Sequence, residues 1–555
     1  TASAETLNGT SGSNAIYGYA GNDILNGLDG DDFLIGGAGT DTFNGGLGFD
    51  IVDFGYDTLG WTINLTTNQA IQGSVTETLT GIEGVYGSAG ADTITGSTNG
   101  DILAGGRGDD TINGGGGDDF IEFEGFPDSY FGTNEGYDAV DGGTGTDAIR
   151  ATGRNAVIGL TSITGIETIT SNGFSGVKIE GSAAANTLNF SAVNLVGIDR
   201  IDGGGGNDII TGSLLADVIL GSAGDDNLSG GEGDDTFWVA GTSDGFDAVH
   251  GGVGYDRILA SQSSTRIGLS TLSGIELISG NGQGSVFISG SSAADTLDFS
   301  AVTLTEITRI DGGSGNDVII GSVNDDVLQG SGGDDALSGG LGNDVFQYSG
   351  TAGGFDNVQG GVGTNSIIAL ANSTVIGLTS VTGVQSISAN GFTGVSISGS
   401  GAADVLDFSA TVLTSIIRID GGAGNDMITG SAGADTLLGS AGDDTLNGGS
   451  GDDIIQFTGT ANGADTVSGG DGTDTIAALA AGTIIGLSSF SSVETITAGG
   501  FSSVTIAGSN NADTLNFVGV TLNGISSING GAGNDIISGS GIGDTILGGA
   551  DNDTL

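Results

Sequence analysis

The chain has no cysteine, one proline (Pro127), one histidine (His250), one lysine (Lys178) and one methionine (Met427) among 555 residues. Without cysteine there is no disulfide framework, and a lone histidine cannot complete a Cys/His zinc centre. It also leaves at most one candidate for imidazole acid–base chemistry. His250 lies in AVHGGVGYD with no recurring acid–base partner beside it, so a solvated or ligand-adjacent ring is expected. Only 9 Lys plus Arg stand against 68 Asp plus Glu, a formal charge of −59. That excludes a phosphate-backbone binder, whose affinity comes from clustered basic side chains; no nucleic-acid partner is expected. No run approaches the roughly 18 apolar residues of a membrane span, and no signal peptide opens the chain. The chain starts at Thr1, which reads as a processed or trimmed end.

What is abundant is glycine, at 114 residues. Glycine on this scale accompanies disorder when hydrophobicity is low and proline is high. Here 37% of residues are hydrophobic and mean hydropathy is +0.15, so a packed core is within reach. The result is an acidic, glycine-rich chain in need of counter-charge, which points to cations.

A nine-residue repeat organises those charges. From Gly18 the chain reads GYAGNDILN, GLDGDDFLI, GGAGTDTFN, GGLGFDIVD. This places Asp23, Asp32, Asp41 and Asp50 nine apart, and the series returns at Asp92, Asp101, Asp110 and Asp119, then Asp138 and Asp147. Asp208, Asp217, Asp226, Asp235, Asp247 and Asp256 form a block that recurs 109 residues later as Asp317, Asp326, Asp335, Asp344 and Asp356, with Asn365 in sixth place. It recurs again as Asp426, Asp435, Asp444, Asp453, Asp465 and Asp474, and a last partial copy gives Asp535, Asp544 and Asp553. Thirty acidic side chains share one register.

The repeat is G-G-x-G-x-D-x-U-x, with U a large apolar residue. Its glycines allow tight turns with positive φ. Stretches such as Asp-Thr-Ile and Asp-Ile-Ile supply a short strand. Two nonapeptides make an 18-residue coil, so Asp208 and Asp226 fall on one edge of a solenoid and Asp217 and Asp235 on the other. Each edge is then a column of carboxylates about 4.8 Å apart, whose repulsion opposes stacking. A hard divalent ion between turns reverses that sign. Carboxylates and turn carbonyls suit the six- to eight-fold oxygen coordination of Ca²⁺ better than the strict octahedron of Mg²⁺. The thirty aspartates are accordingly read as metal ligands, for multiple calcium ions.

Through GGAGTD (36–41), GGRGDD (105–110), GGEGDD (230–235) and GGSGDD (448–453), the chain resembles the repeats-in-toxin, or hemolysin-type calcium-binding, proteins of bacteria. The stretch 61–96, with WTINLTTNQA and ETLTGIEGVYGSAGADTITG, is also similar to that family. The resemblance implies a parallel β-roll, calcium between turns, and export of the unfolded chain from a Gram-negative-type bacterium by type I secretion. It says little about role, since the family uses such rolls in toxins, proteases, lipases, epimerases, adhesins and surface layers. Turns with Asn99, Ala216 and Asn324 depart from the motif and are expected to bind weakly or only shape the coil. Asn14 and Asn365 lose the carboxylate altogether.

Between the blocks lie spacers of about 50 residues, such as 158–201, where apolar pairs (Ile158/Leu160, Val177/Ile179, Leu188/Phe190) recur about every half-coil. The solenoid is expected to continue through them on apolar packing alone, with no helix and no globular domain. The fold is thus read as all-β, a calcium-binding roll continued through calcium-free coils. Its parts are an N-terminal roll (1–54), spacer coils (55–86), a roll with a loop insertion at 126–136 (87–150) and spacer coils (151–202). Three roll-plus-spacer units (203–311, 312–420, 421–529) and a partial terminal roll (530–555) follow. Loop 126–136 is expected at the surface, with partner contact as the alternative. Arg200, Arg309 and Arg418 share one register of the 109-residue unit, and Glu167, Glu276 and Glu494 another, with Gln385 in the third copy. They are expected to face solvent, or else to form lateral salt bridges between neighbouring molecules.

One lysine and eight arginines give little from which to build a lyase groove, and the position before Asp is too variable for a regular ice-binding face; no enzyme is expected. The chain starts and ends inside repeat-like strands, which reads as open solenoid ends that join head to tail. The expected function is a secreted, calcium-folded structural protein of a bacterial surface layer or filament, self-associating head to tail and laterally, with cell-surface polysaccharide as a further partner. The alternative is a calcium-binding adhesin stalk, or the tail module of an exported enzyme or toxin.

Overall fold

In a computed structural model of the chain, residues 3–124, 135–351 and 353–555 are described. Most of the loop expected at 126–136 lies outside them. The described residues are strands, bridges and turns without a helix, and no helix is long and apolar enough to cross a membrane. The chain forms two compact units, Thr1–Val286 and Phe287–Leu555, and each is a parallel β-solenoid.

Each nonapeptide yields a strand of about three residues, because only the D-x-U-x part lacks glycine. In Thr93–Thr95 and Thr111–Asn113 the central isoleucine is buried and its neighbours are exposed or half-buried. Two nonapeptides close one coil, so registers advance by 18. In the first unit Ile24 pairs with Thr42 and Thr93 with Thr111; in the second Val318 pairs with Ala336 and Met427 with Thr445. The U positions stack into a column on each face. One such column is Leu34, Val52, Val85, Leu103, Ile121 and Ile149, none exposed. Each of these contributes roughly 1.5–3 kcal/mol relative to exposure.

The stretch read as spacer coils over 55–86 is corrected in part. Thr62–Asn64, Gln69–Gln72 and Val75–Thr80 form an antiparallel meander within the otherwise parallel first face. It is joined below through Thr42↔Thr78 and above through Thr62↔Thr93. The aromatic pair Phe54 and Trp61 seats it, with ring centroids 4.8 Å apart. Meanwhile the second face stays parallel, Ile51–Asp53 pairing with Gly84–Tyr86.

The later spacers have longer coils with a third face. In the first unit, strand Val157–Thr164 is shared: Val157–Gly159 starts a new ladder with Lys178–Glu180, while its far end continues the first face from Asp138–Asp141. The old second face ends through Thr168–Thr170 and Asn194–Val196, and the new ladder becomes the second face of the next roll through Ile201–Asp202 and Val218–Leu220. The second unit repeats this hand-over at Val375–Thr382 and Ile484–Ser491. A buried phenylalanine fills each enlarged section, Phe190 in the first unit and Phe408 and Phe517 in the second.

Candidate metal centre

The repeated aspartate ends its turn and folds inward under the next coil. Asp50, Asp119, Asp235 and Asp344 have no exposed surface. Its Oδ1 accepts the main-chain N–H of the aspartate one coil earlier. Asp23 N donates to Asp41 Oδ1 at 2.7 Å, Asp208 N to Asp226 Oδ1 at 2.7 Å, and Asp435 N to Asp453 Oδ1 at 2.8 Å. An exposed outer column runs the other way. There Asp31, Asp118 and Asp234 accept N–H bonds from Phe49, Thr146 and Tyr255 of the following coil, at 2.9, 2.9 and 2.8 Å.

The other inner oxygen is stranded. Nineteen of the thirty predicted aspartates leave Oδ2 buried with no hydrogen-bond partner. They are Asp23, Asp32, Asp41, Asp50, Asp110, Asp119, Asp147, Asp208, Asp226, Asp235, Asp256, Asp317, Asp335, Asp344, Asp426, Asp444, Asp453, Asp474 and Asp535. An uncompensated buried carboxylate is costly. Burial pushes the carboxyls of Asp110, Asp119, Asp208 and Asp235 up to about 7, although the main-chain bond to each opposes it. In the last coil of a roll, burial pushes Asp138, Asp247 and Asp465 to about 8.

The turn glycine beside each stranded oxygen leaves a cradle. A Cβ on Gly27 would meet Asp32 Oδ2 and lie 2.5 Å from the Gly45 carbonyl oxygen of the next coil. Gly230 and Gly339 repeat this with Asp235 and Gly251, and with Asp344 and Gly360. Two acceptors thus face one gap with no proton between them. Among the described residues no three His, Asp or Glu side chains converge, so carboxylates alone make no centre. The donor set is carboxylate plus turn carbonyl, oxygen only, which fits the preference of Ca²⁺.

Nine segments match the family model of the RTX calcium-binding nonapeptide repeat: residues 1–34, 18–52, 86–121, 196–214, 211–245, 311–346, 420–455, 460–480 and 521–555. The chain is an RTX calcium-binding repeat protein. No curated protein matches it.

The RTX turns are of two kinds, which the sequence reading separated only for the turns of Asn99, Ala216 and Asn324. In Asp92, Asp101, Asp217, Asp326, Asp435 and Asp544, Oδ2 accepts the N–H of the serine four residues earlier, for instance Ser213 to Asp217 at 2.6 Å and Ser431 to Asp435 at 2.6 Å. These carboxylates satisfy themselves. Asn99 and Asn324 lie in such turns, and the turn containing Ala216 has Leu215 in fourth place. In the open turns the fourth residue takes positive φ, as at Gly224 (139°) and Gly442 (137°), and so does the second residue even when it is serine: Ser222 71°, Ser331 73°, Ser440 70°. Serine in second place with Asn99, Leu215, Asn324 or Ile542 in fourth marks four of these turns; those of Asp92 and Asp435 keep Gly90 and Gly433 there, without positive φ, and only the structure sets them apart.

Of the remaining predicted aspartates, Asp138, Asp247 and Asp465 accept the N–H of Asp110, Asp226 and Asp444, Asp356 takes the Tyr348 hydroxyl on Oδ2 at 2.7 Å, and Asp553 accepts from Asp535. Asn14 closes on its own turn through Thr10. His250 shares a 2.7 Å hydrogen bond with the Ser273 hydroxyl.

Three further features escaped sequence reasoning. Glu77 stands in the column above Asp41, is 2% exposed with Oε2 unpartnered, and burial pushes it to about 8. The spacers do not stack on apolar packing alone. Asp295, Asp404 and Asp513 join the column, their N–H groups bonded to Asp317, Asp426 and Asp535, with Ser291, Ser400 and Ser509 as caps. Finally, Arg200, Arg309 and Arg418 bridge to the aspartates two residues on, Asp202, Asp311 and Asp420, at 3.4, 3.5 and 3.3 Å. Glu167, Glu276 and Glu494 accept main-chain bonds from Asp147, Asp256 and Asp474. Glu167 and Glu494 are nonetheless exposed, as expected, while Glu276 and the three arginines are half-buried.

Proposed function

We propose that calcium taken up between the open RTX turns folds this chain outside the cell, and that the folded chain is a secreted structural protein of a surface layer or filament rather than an enzyme. The observation that carries the reading is the column of buried, unpartnered carboxylate oxygens in a chain of charge −59. With little calcium the folded state must either protonate those groups or bury their charge, and the extended chain avoids both. Low calcium in the cytoplasm therefore favours an unfolded, exportable chain, and self-repulsion keeps it from associating early. Export by type I secretion from a Gram-negative-type cell delivers it to higher calcium, where ion binding is folding free energy.

Self-association is supported by the repetition of the 109-residue unit. Ile209, Val318, Met427 and Ile536 recur at one register and are 49%, 39%, 53% and 51% exposed. Contacts too weak to hold singly gain by being repeated along identical copies. Head-to-tail and lateral joining, with cell-surface polysaccharide as anchor, complete the proposal.

Electron microscopy and circular dichroism across a calcium titration test it. Sheets or filaments that appear together with β-signal are the expected result. Folded particles that never associate would overturn the assembly part and favour a stalk or tail module. A chain indifferent to calcium would overturn the whole.

A further inference from the structure

Inside a roll, each inner N–H finds the Oδ1 of an aspartate one coil on. At the last coil of a roll one edge has no further aspartate, and a glutamate from the following strand takes its place. Asp50 N donates to Glu83 Oε2 at 3.0 Å, and Asp147, Asp256 and Asp474 donate to Glu167, Glu276 and Glu494 at 2.7 Å each. The aspartates are at most 1% exposed, and all four Oδ2 atoms have no partner. A carbonyl of the closing turn faces each of them. A Cβ on Gly251 would overlap the Gly274 carbonyl oxygen and lie 2.6 Å from Asp256 Oδ2; on Gly469 it would overlap the Ser492 carbonyl and lie 2.5 Å from Asp474 Oδ2. Two acceptors, with a glutamate beside them, confront each other across one gap.

The chain contains its own control. In the third copy both acids are amides, Asn365 and Gln385. Gln385 Oε1 still accepts the main-chain N–H of Asn365, at 2.6 Å, so that bond needs no charge. The change lies at the gap, where Asn365 Nδ2 donates to the Gly383 carbonyl at 3.0 Å. An acceptor–acceptor pair has become a donor–acceptor pair, and two negative charges have gone with it. The opposite edge of the same coil is also closed by a hydrogen bond, from the Tyr348 hydroxyl to Asp356 Oδ2 at 2.7 Å; Val239 and Phe457, without a hydroxyl, stand at that register in the neighbouring copies.

We propose that rolls end in a calcium site of a second kind, an Asp–Glu pair with a closing-turn carbonyl, at Asp50/Glu83, Asp147/Glu167, Asp256/Glu276 and Asp474/Glu494, and that Asn365/Gln385 closes the same place without metal. A hard divalent cation with oxygen ligands answers all three acceptors, as a proton on one of them would not. This rests on the calcium chemistry of the repeats, and not on secretion or assembly.

The test is the number of calcium ions bound by the full chain at saturation, measured by equilibrium dialysis with circular dichroism on the same samples. Asn365→Asp with Gln385→Glu is expected to bind one ion more than the parent. Asp474→Asn with Glu494→Gln is expected to bind one fewer while keeping its β-signal in calcium. An unchanged count in the first variant overturns the proposal, as does an unchanged count in the second. If the second variant does not fold, the first decides alone. A parent that folds on calcium while the variant counts stay level would overturn this site only and leave the proposed function standing.

Discussion

Chelating calcium is expected to unfold the protein at about pH 8.5 and to spare it at about pH 5.5, because the metal-free fold survives only while its buried carboxyls hold protons. The magnitude follows from the last coils. Asp138 and Asp247 in the first unit and Asp465 in the second are raised from an ordinary 3.8 to about 8 by burial. Four units at 1.36 kcal/mol each is roughly 5 kcal/mol per group. The sign is that of a raised pKa. Below about pH 4 both states hold the proton, and between 3.8 and about 8 the folded chain keeps protons that the unfolded chain has released, so stability falls as pH rises. Between pH 5.5 and 8.5 about 2.5 of those units fall, roughly 3.4 kcal/mol per group, so Asp138 and Asp247 together lose about 7 kcal/mol across the assay, comparable with the 5–15 kcal/mol of a whole domain. Calcium inverts the trend, since it competes with the proton for the same oxygens. The assay is far-ultraviolet circular dichroism in chelator from pH 8.5 down to about 5.5, above the sequence pI of about 4.1, repeated with calcium. A chelated protein as folded at the alkaline end as at the acid end would refute the reasoning that the buried carboxyls are ionised and costly.

Asp235→Asn keeps the Oδ1 acceptor for Asp217 N and replaces Oδ2 by a donor, so it is expected to lower the calcium count without unfolding the chain, as dialysis and circular dichroism would show. Ser322→Ala removes the hydroxyl bond to Asp326 Oδ2, 2.9 Å long; it is expected to cost about 1 kcal/mol in a urea titration at saturating calcium and to leave the calcium count alone. Gly39→Ala places a methyl on the Gly21 carbonyl oxygen at φ +154° and is expected to cost at least about 2 kcal/mol, seen as a lower melting temperature in calcium.

Much of this protein is legible in its sequence because a solenoid turns sequence distance directly into spatial neighbourhood. A nine-residue spacing of aspartate, with an apolar residue two places on, is enough to stack Asp208 below Asp226 and Leu34 below Val52. The meander at Trp61–Thr80 was not legible in that way. Its alternation is that of any strand; the chain reverses at turns 65–68 and 73–74, where Asn68 and Gly73 take φ of 57° and 60°, and the Phe54–Trp61 contact seats the result. The spacer coils likewise showed their apolar pairs but not that a third face takes over from the second.

The sequence alone determined the all-β roll, its 18-residue coil, the acidic edge columns and the oxygen-rich chemistry that calls for calcium, because each follows from period and residue type. Tertiary structure alone decided which carboxylates need the ion. Asp217 and Asp235 share a register and a motif position, yet one folds onto the N–H of Ser213 and the other is left with a buried, empty oxygen. It also placed Glu167, Glu276 and Glu494 over the ends of the rolls, where a reading by spacing saw only repeated surface charge. The reason is physical: hydrogen-bond satisfaction depends on φ at two turn residues and on which chain segment covers the coil, and neither is a property of spacing.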